Sequence, residues 1–220
     1  VLTQAGIAYM RTRYGGIIGG ESLVSPWDEA TVEFSGIDGD RYWDQVVLCI
    51  NANKYGWEGS RKIVDEKGFN KIDLYGDVNV KSGTTPYINF DGSGDYLLLG
   101  DANSFVFDAF DFTIDIVFEP VSDHSGVAKW CFSTMYGPGY SNVAIPQWMI
   151  NASITNNTVA FVRYVTSSTE DVLVITNAGV VAGQKMQISV VRRSGTVHIF
   201  INGVLKGSKA CNYTFVYNSG

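Results

Sequence analysis

The sequence predicts an all-β protein, a two-sheet antiparallel sandwich preceded by an extended N-terminal arm. Three observations carry this reading. Short runs rich in β-branched and aromatic residues recur at close spacing, turn residues separate them, and no window holds a helical period long enough to define a helix.

Residues 1–40 differ in character from the rest of the chain. They carry the glycine pairs Gly15-Gly16 and Gly19-Gly20, Pro26 and scattered aromatics without a sustained period, so they read as an extended arm in which Thr31–Phe34 is the one short strand-like run. Such an arm docks either on a neighbouring chain or on its own domain. Arg11, Arg13 and Tyr14 are its assembly residues in this reading, because the glycine-rich backbone beside them suits strand addition to another subunit.

Residues 41–220 form the sandwich. Strands are predicted at Asp44–Ile50, Lys71–Tyr75, Tyr87–Phe90, Asp95–Leu99, Phe112–Glu119, Val127–Ser133, Gln147–Ala152, Thr158–Val165, Asp171–Thr176, Lys185–Val191 and Thr196–Asn202. Between them lie Asp91-Gly92-Ser93-Gly94, Asn156-Asn157, Ser194-Gly195 and Asn202-Gly203, the last two being tight-hairpin pairs. Alternation identifies the buried faces. Phe112, Ile114, Ile116 and Phe118 share one side of their strand and Asp111, Thr113, Asp115, Val117 and Glu119 the other, while Val197, Ile199 and Ile201 alternate with Thr196, His198 and Phe200.

Composition narrows the function classes. Hydrophobic residues make up 45% and charged residues 17%, which excludes a disordered chain. The net charge of −6 comes without a basic cluster to neutralise phosphates or anionic lipid, so neither a nucleic-acid partner nor membrane insertion is expected. No run approaches the roughly 18 apolar residues of a membrane-spanning helix. Cys49, Cys131 and Cys211 are odd in number and widely spaced, which encodes neither a disulfide framework nor a zinc site. The chain begins at Val1, so the N-terminus is processed or the sequence is a fragment.

Three blocks bring a family into view: Ile88–Leu97 (INFDGSGDYL), Phe110–Pro120 (FDFTIDIVFEP) and Ile188–Gly207 (ISVVRRSGTVHIFINGVLKG), with Tyr42–Leu48 (YWDQVVL) as an opening strand. In this order they resemble the concanavalin A-like, LamG-type jelly-roll domains, in the form found in bacteriophage tail and other virion proteins. The resemblance covers about residues 41–208. It implies a sandwich that ends with one further strand beside the first. Here the chain stops at Gly220, so the expectation is a fragment of a longer polypeptide or a strand supplied by a partner.

The same resemblance supplies a test for catalysis. Laminarinase-type glycosidases of this fold carry Glu-x-Asp-x-x-Glu on one strand, where two carboxylates flank the scissile bond. Asp111, Asp115 and Glu119 do not match it: Thr113 stands two residues before Asp115, and apolar Val117 and Phe118 occupy the region of the second Glu. No catalytic residue is assigned and the chain is not expected to be an enzyme. His124 and His198 lie outside any nucleophile motif and read as surface residues. The sequons at Asn151, Asn156 and Asn212 have meaning only in a eukaryotic secretory setting, to which nothing else points.

Two ligand sites are candidates. Asp91, Asp95 and Asp101 lie around a glycine-rich turn and could supply hard oxygens to calcium, the one cofactor considered; the competing reading gives Asp91 an Asx turn and Asp95 the start of a strand. Tyr136 and Tyr140, in the loop Met135–Tyr140, are the aromatic residues placed to bind a glycan, whereas Trp130 and Trp148 sit in apolar strand segments and read as core. The expected function is a non-enzymatic phage structural protein of tail, fibre or capsid-decorating type, in the virion, homo-oligomeric with other virion subunits as partners, and able to hold a cell-surface glycan. The alternatives are an extracellular carbohydrate-binding module and a glycosidase that has lost or moved its acids.

Overall fold

The computed structural model describes residues 2–13, 45–52, 58–100, 105, 107–121, 129–133, 148–166, 169–212 and 215. Fourteen strands appear among them, all paired antiparallel, as the sequence predicts for an all-β sandwich. The larger sheet has eight strands. Its path runs from β14 (Val204–Ala210) through β13 (Thr196–Ile201), β12 (Met186–Arg193), β7 (Asp111–Pro120), β1 (Leu2–Arg13) and β5 (Tyr87–Asn89) to β4 (Asn79–Lys81), and β2 (Val46–Asn51) pairs with β1 off that path. A four-stranded sheet orders β11 (Thr169–Thr176), β10 (Thr158–Thr166), β9 (Trp148–Ser153) and β8 (Lys129–Ser133), and a small ribbon joins β3 (Ile72–Tyr75) to β6 (Tyr96–Leu99).

The two larger sheets close on one core. Phe112, Ile114, Ile116 and Phe118 of β7 are all buried, as their alternation predicts, and so are Ile188 and Val190 of β12 and Val197, Ile199 and Ile201 of β13. Opposite them lie Trp148 and Ile150 of β9, Val159 and Phe161 of β10 and Ile175 of β11. An aromatic seam joins the layers: Phe107 stacks on Phe112 at 4.3 Å and on Trp148 at 5.2 Å, and Phe112 lies 6.0 Å from Phe161. Each large apolar side chain withdrawn from water contributes about 1.5–3 kcal/mol, which makes this seam the main source of stability. Trp148 also donates its indole N–H to the Phe105 carbonyl at 3.3 Å.

The hairpin turns obey their residues. Ser194 and Gly195 have φ of 48° and 73°, and Asn202 and Gly203 of 50° and 77°, the paired positive values of a two-residue turn that matches strand twist.

Three strands lie outside the predicted set. β4 has only three residues, and β14 forms the exposed edge of the large sheet, where Lys206, Gly207 and Lys209 replace an alternating pattern. β1 lies within the segment read as the arm and docks it on its own domain. Its register runs from Leu2↔Pro120 to Arg13↔Asp111 along β7, while Ile7 to Arg11 pair with β2 and Ala5 with β5. From Ile7 to Arg11 both edges of β1 are occupied within the chain, and Arg13 pairs with Asp111 of β7, so Arg11 and Arg13 are ladder residues of its own sheet. Tyr14 and Thr31–Phe34 lie outside the described residues.

Arg192 is a polar core residue that sequence reasoning missed. It is 3% exposed and continues the inward phase of Ile188 and Val190. Its Nε and Nη2 donate to the Cys211 carbonyl at 3.2 and 3.1 Å, and Nη1 donates to the carbonyls of Phe110 at 3.1 Å and Asp108 at 3.3 Å. The guanidinium carbon sits 5.7 Å from the Phe215 ring, and Phe215 exchanges backbone hydrogen bonds with Asp108. One side chain thus ties the segment after β14 to the entry of β7. Cys49 and Cys211 are buried and form no disulfide.

Candidate functional site

The most developed polar surface lies at one end of the β3–β6 ribbon. Tyr75 pairs with Tyr96 across the ribbon. Their rings stack with centroids 4.4 Å apart and planes within 6°, and Tyr75 is 41% exposed. Two turns meet beside this stack. Gly76 and Asp77 come directly after β3, and Asp91 to Asp95 lead into β6.

Asp95 joins them. Its Oδ1 accepts the Asp77 backbone N–H at 2.8 Å and its Oδ2 accepts the Asp91 N–H at 2.7 Å. Asp91 in turn accepts the Ser93 N–H on Oδ1 at 2.6 Å, the expected Asx turn. Gly76 has φ of 71°, and a Cβ there would run into the Asp95 carboxylate, so only glycine allows so close an approach.

Asp77, Asp91 and Asp95 form a cluster in which one carboxylate oxygen of each lies within 4.8 Å of the others. Burial pushes the Asp95 carboxyl above its ordinary range, the N–H bonds from Asp91 and Asp77 pull it back, and the charges of Asp91 and Asp77 push it up again. Asp91 and Asp95, predicted from sequence, are thus brought together. Their structural partner is Asp77, which the sequence reading missed; the turn dipeptide Gly76-Asp77 was its only signal. Asp101 lies outside the described residues. Three carboxylates supply fewer than the six to eight oxygens of a calcium site, and both oxygens of Asp95 already accept N–H donors.

The other candidates scatter. Tyr136, Tyr140 and His124 lie outside the described residues. Trp148 is core. His198, read from sequence as having no serine partner, places Nδ1 2.7 Å from Ser208 Oγ across β13 and β14, an exposed cross-strand pair that became visible only with β14. On β7, Asp115 pairs across strands with Ser189, whose hydroxyl it accepts, and Asp111 accepts the Ser194 N–H at 2.9 Å. Asp111 and Asp115 are four residues apart on one strand, about 13 Å at strand rise, beyond the carboxyl separations of either glycosidase geometry.

No protein-family model matches the sequence, and no curated protein is significantly similar to it. Solved structures share its fold. The chain is similar to the binding domain of Paraclostridial Mosquitocidal Protein 1, with a TM-score of 0.53 and 16% identity over 71% of this chain and 39% of that one. It is also similar to the binding domain of Botulinum neurotoxin DC, solved in complex with rat synaptotagmin II, with a TM-score of 0.53 and 14% identity over 76% and 42% of the two chains. A third such structure, the botulinum neurotoxin serotype D/C VPI 5993 binding domain, gives 0.50 and 13% over 72% and 40%. The chain spans about two fifths of the length of these structures. At these identities the likeness is one of fold alone. The phage and LamG kinship implied by the sequence blocks is not part of this likeness.

Proposed function

We propose that this chain is a non-enzymatic binding module for a cell-surface glycan, and that it reads the glycan at the Tyr75–Tyr96 end of the β3–β6 ribbon. One observation carries the reading: a half-exposed, stacked tyrosine pair lies directly beside three carboxylates from two turns. An aromatic face takes the apolar C–H side of a sugar ring, and carboxylates accept its hydroxyls or share a calcium ion with them. The pair sits on a ribbon whose turns are tied by Asp95, so little ordering is lost on binding. The toxin binding domains of like fold are in keeping with a binding role for the sandwich.

The test is a glycan array on the full chain, then calorimetry on the hits. Tyr75→Ala lowers affinity about tenfold or more, the effect of a lost stacking face, while the melting temperature stays within a few degrees. Retained affinity in Tyr75→Ala together with its loss in Tyr136→Ala or Tyr140→Ala would move the site to the Met135–Tyr140 loop. Chelator sensitivity that disappears in Asp91→Asn would assign calcium to the cluster.

The three sequence blocks favour a phage virion as the setting for this module, with other virion subunits and further copies of the chain as its neighbours; a secreted extracellular protein is the alternative. Light scattering on native material separates the two, because a large symmetric assembly belongs to a virion component and a stable monomer to a secreted module.

A further inference from the structure

The segment Arg61–Lys71, RKIVDEKGFNK, carries four cations and two acids, and in the sequence it reads as mixed charge. Folding separates the two signs. Asp65 is 4% exposed and is consumed as an anchor: Oδ1 accepts the N–H groups of Cys49 at 2.9 Å and Lys67 at 3.0 Å, and Oδ2 accepts the N–H of Asn70 at 3.1 Å and its Nδ2 at 2.8 Å. Both carboxylate oxygens of Glu66 are buried as well. Three of the four cations are exposed. Arg61 and Lys62 are exposed, and the Lys71 side chain is 78% exposed in a solvent-facing pair with Asp73 that water and salt readily exchange.

Among these cations the loop displays apolar side chains. Phe69 is 62% exposed, more than any other large hydrophobic among the described residues, and Val64 is 41% exposed. Lys67 holds its ammonium 5.5 Å from the Phe69 ring centroid. The display is rigid, since the buried Asp65–Asn70 cage and the packing of Ile63 in the core hold the loop from beneath. It lies at the Ile72 end of β3, away from the Tyr75 end that carries the proposed glycan site.

We infer that this loop docks the protein on an anionic lipid bilayer, with Phe69 and Val64 entering the headgroup layer and Arg61, Lys62, Lys67 and Lys71 meeting lipid phosphates. An exposed aromatic side chain with a cation over its ring, on a loop that carries three more cations, fits that interface, where the ring leaves water and each cation gains from the surface potential. A polyanionic glycan would use the cations and leave Phe69 in water. A purely apolar partner would have to bury the cations. The absence of a basic cluster in the linear sequence does not exclude this surface, because the acids that offset the cations in a residue count are withdrawn from it by burial. The chain as a whole carries a net charge of −6, so the surface outside this patch is repelled by the same bilayer, and attachment is confined to the patch and is sensitive to salt.

Co-sedimentation of the full chain with vesicles of phosphatidylcholine, with and without phosphatidylglycerol, tests the proposal. Binding is expected on the anionic vesicles and falls steeply as salt is raised. Phe69→Ser weakens it about tenfold, and Arg61→Glu combined with Lys62→Glu weakens it at least as much. Phe69→Trp retains binding and gains fluorescence that brominated acyl chains quench beyond the level of the unmodified chain. Equal binding to neutral vesicles, binding to neither, or a Phe69→Ser variant that binds normally while heparin competes would each overturn it.

Discussion

The aromatic seam and the β3–β6 corner both tie separate stretches of chain together with one charged side chain, yet they treat that charge in opposite ways. In the seam, Arg192 is sealed in the core and spends its guanidinium on the carbonyls of Asp108, Phe110 and Cys211. At the corner, Asp95 bridges the backbone N–H groups of Asp77 and Asp91, but with two like charges beside it and water within reach. The Arg192 clamp is sealed from water, whereas the Asp95 carboxyl, held above its ordinary range chiefly by burial, makes a clamp that responds to pH. Stability is concentrated in the first region and responsiveness in the second.

The largest expected effect lies in the seam. Trp148→Ala removes the ring that stacks on Phe107 and should cost about 3–5 kcal/mol in a urea unfolding experiment. Arg192→Met keeps apolar volume but removes the guanidinium donors from the carbonyls of Cys211, Phe110 and Asp108, which should cost about 2–3 kcal/mol by the same measurement. A loss below about 1 kcal/mol there would break the contrast, since Arg192 would then be as dispensable as a surface charge.

The smallest stability effect, and the most specific one, is expected at the corner. Because the Asp95 carboxyl is raised in the folded state, its contribution to stability is present in acid and is lost as pH rises through its folded value. Asp91→Asn removes one neighbouring charge, lowers the Asp95 titration toward the ordinary carboxylate range and shrinks that loss. Carbon-detected titration of the Asp95 carboxyl reads this directly, and an unchanged midpoint would show that the Asp91 charge does not hold it up.

Much of the fold was legible because it is local. The period of two in Asp111–Pro120 and Thr196–Ile201 fixes the inward residues, and Ser194-Gly195 and Asn202-Gly203 fix the turns. β14 escaped because an edge strand buries no face and so carries no alternation, and with it went the His198–Ser208 pair. Arg192 was legible in principle, since it lies in phase with Ile188 and Val190, but a cation at a core position is resolved only by the carbonyls that fold back over it. At the candidate site, Asp91 and Asp95 could be found because one turn holds them both, whereas Asp77 lies in a different turn and reaches them only through the ribbon.

The class of fold, the inward faces of the strands and the tight turns were set by the amino-acid order alone, because each rests on dihedral preferences and side-chain alternation within a few neighbouring residues. Which charges face water was decided by the tertiary structure. It buried Asp65 and the carboxylate oxygens of Glu66 while leaving Arg61, Lys62 and Lys71 exposed, drew Asp77 to Asp91 and Asp95, and sealed Arg192 in the core. Burial and long-range hydrogen bonding depend on segments far apart in the chain, and the electrostatic character of a surface arises from them rather than from the order of its residues.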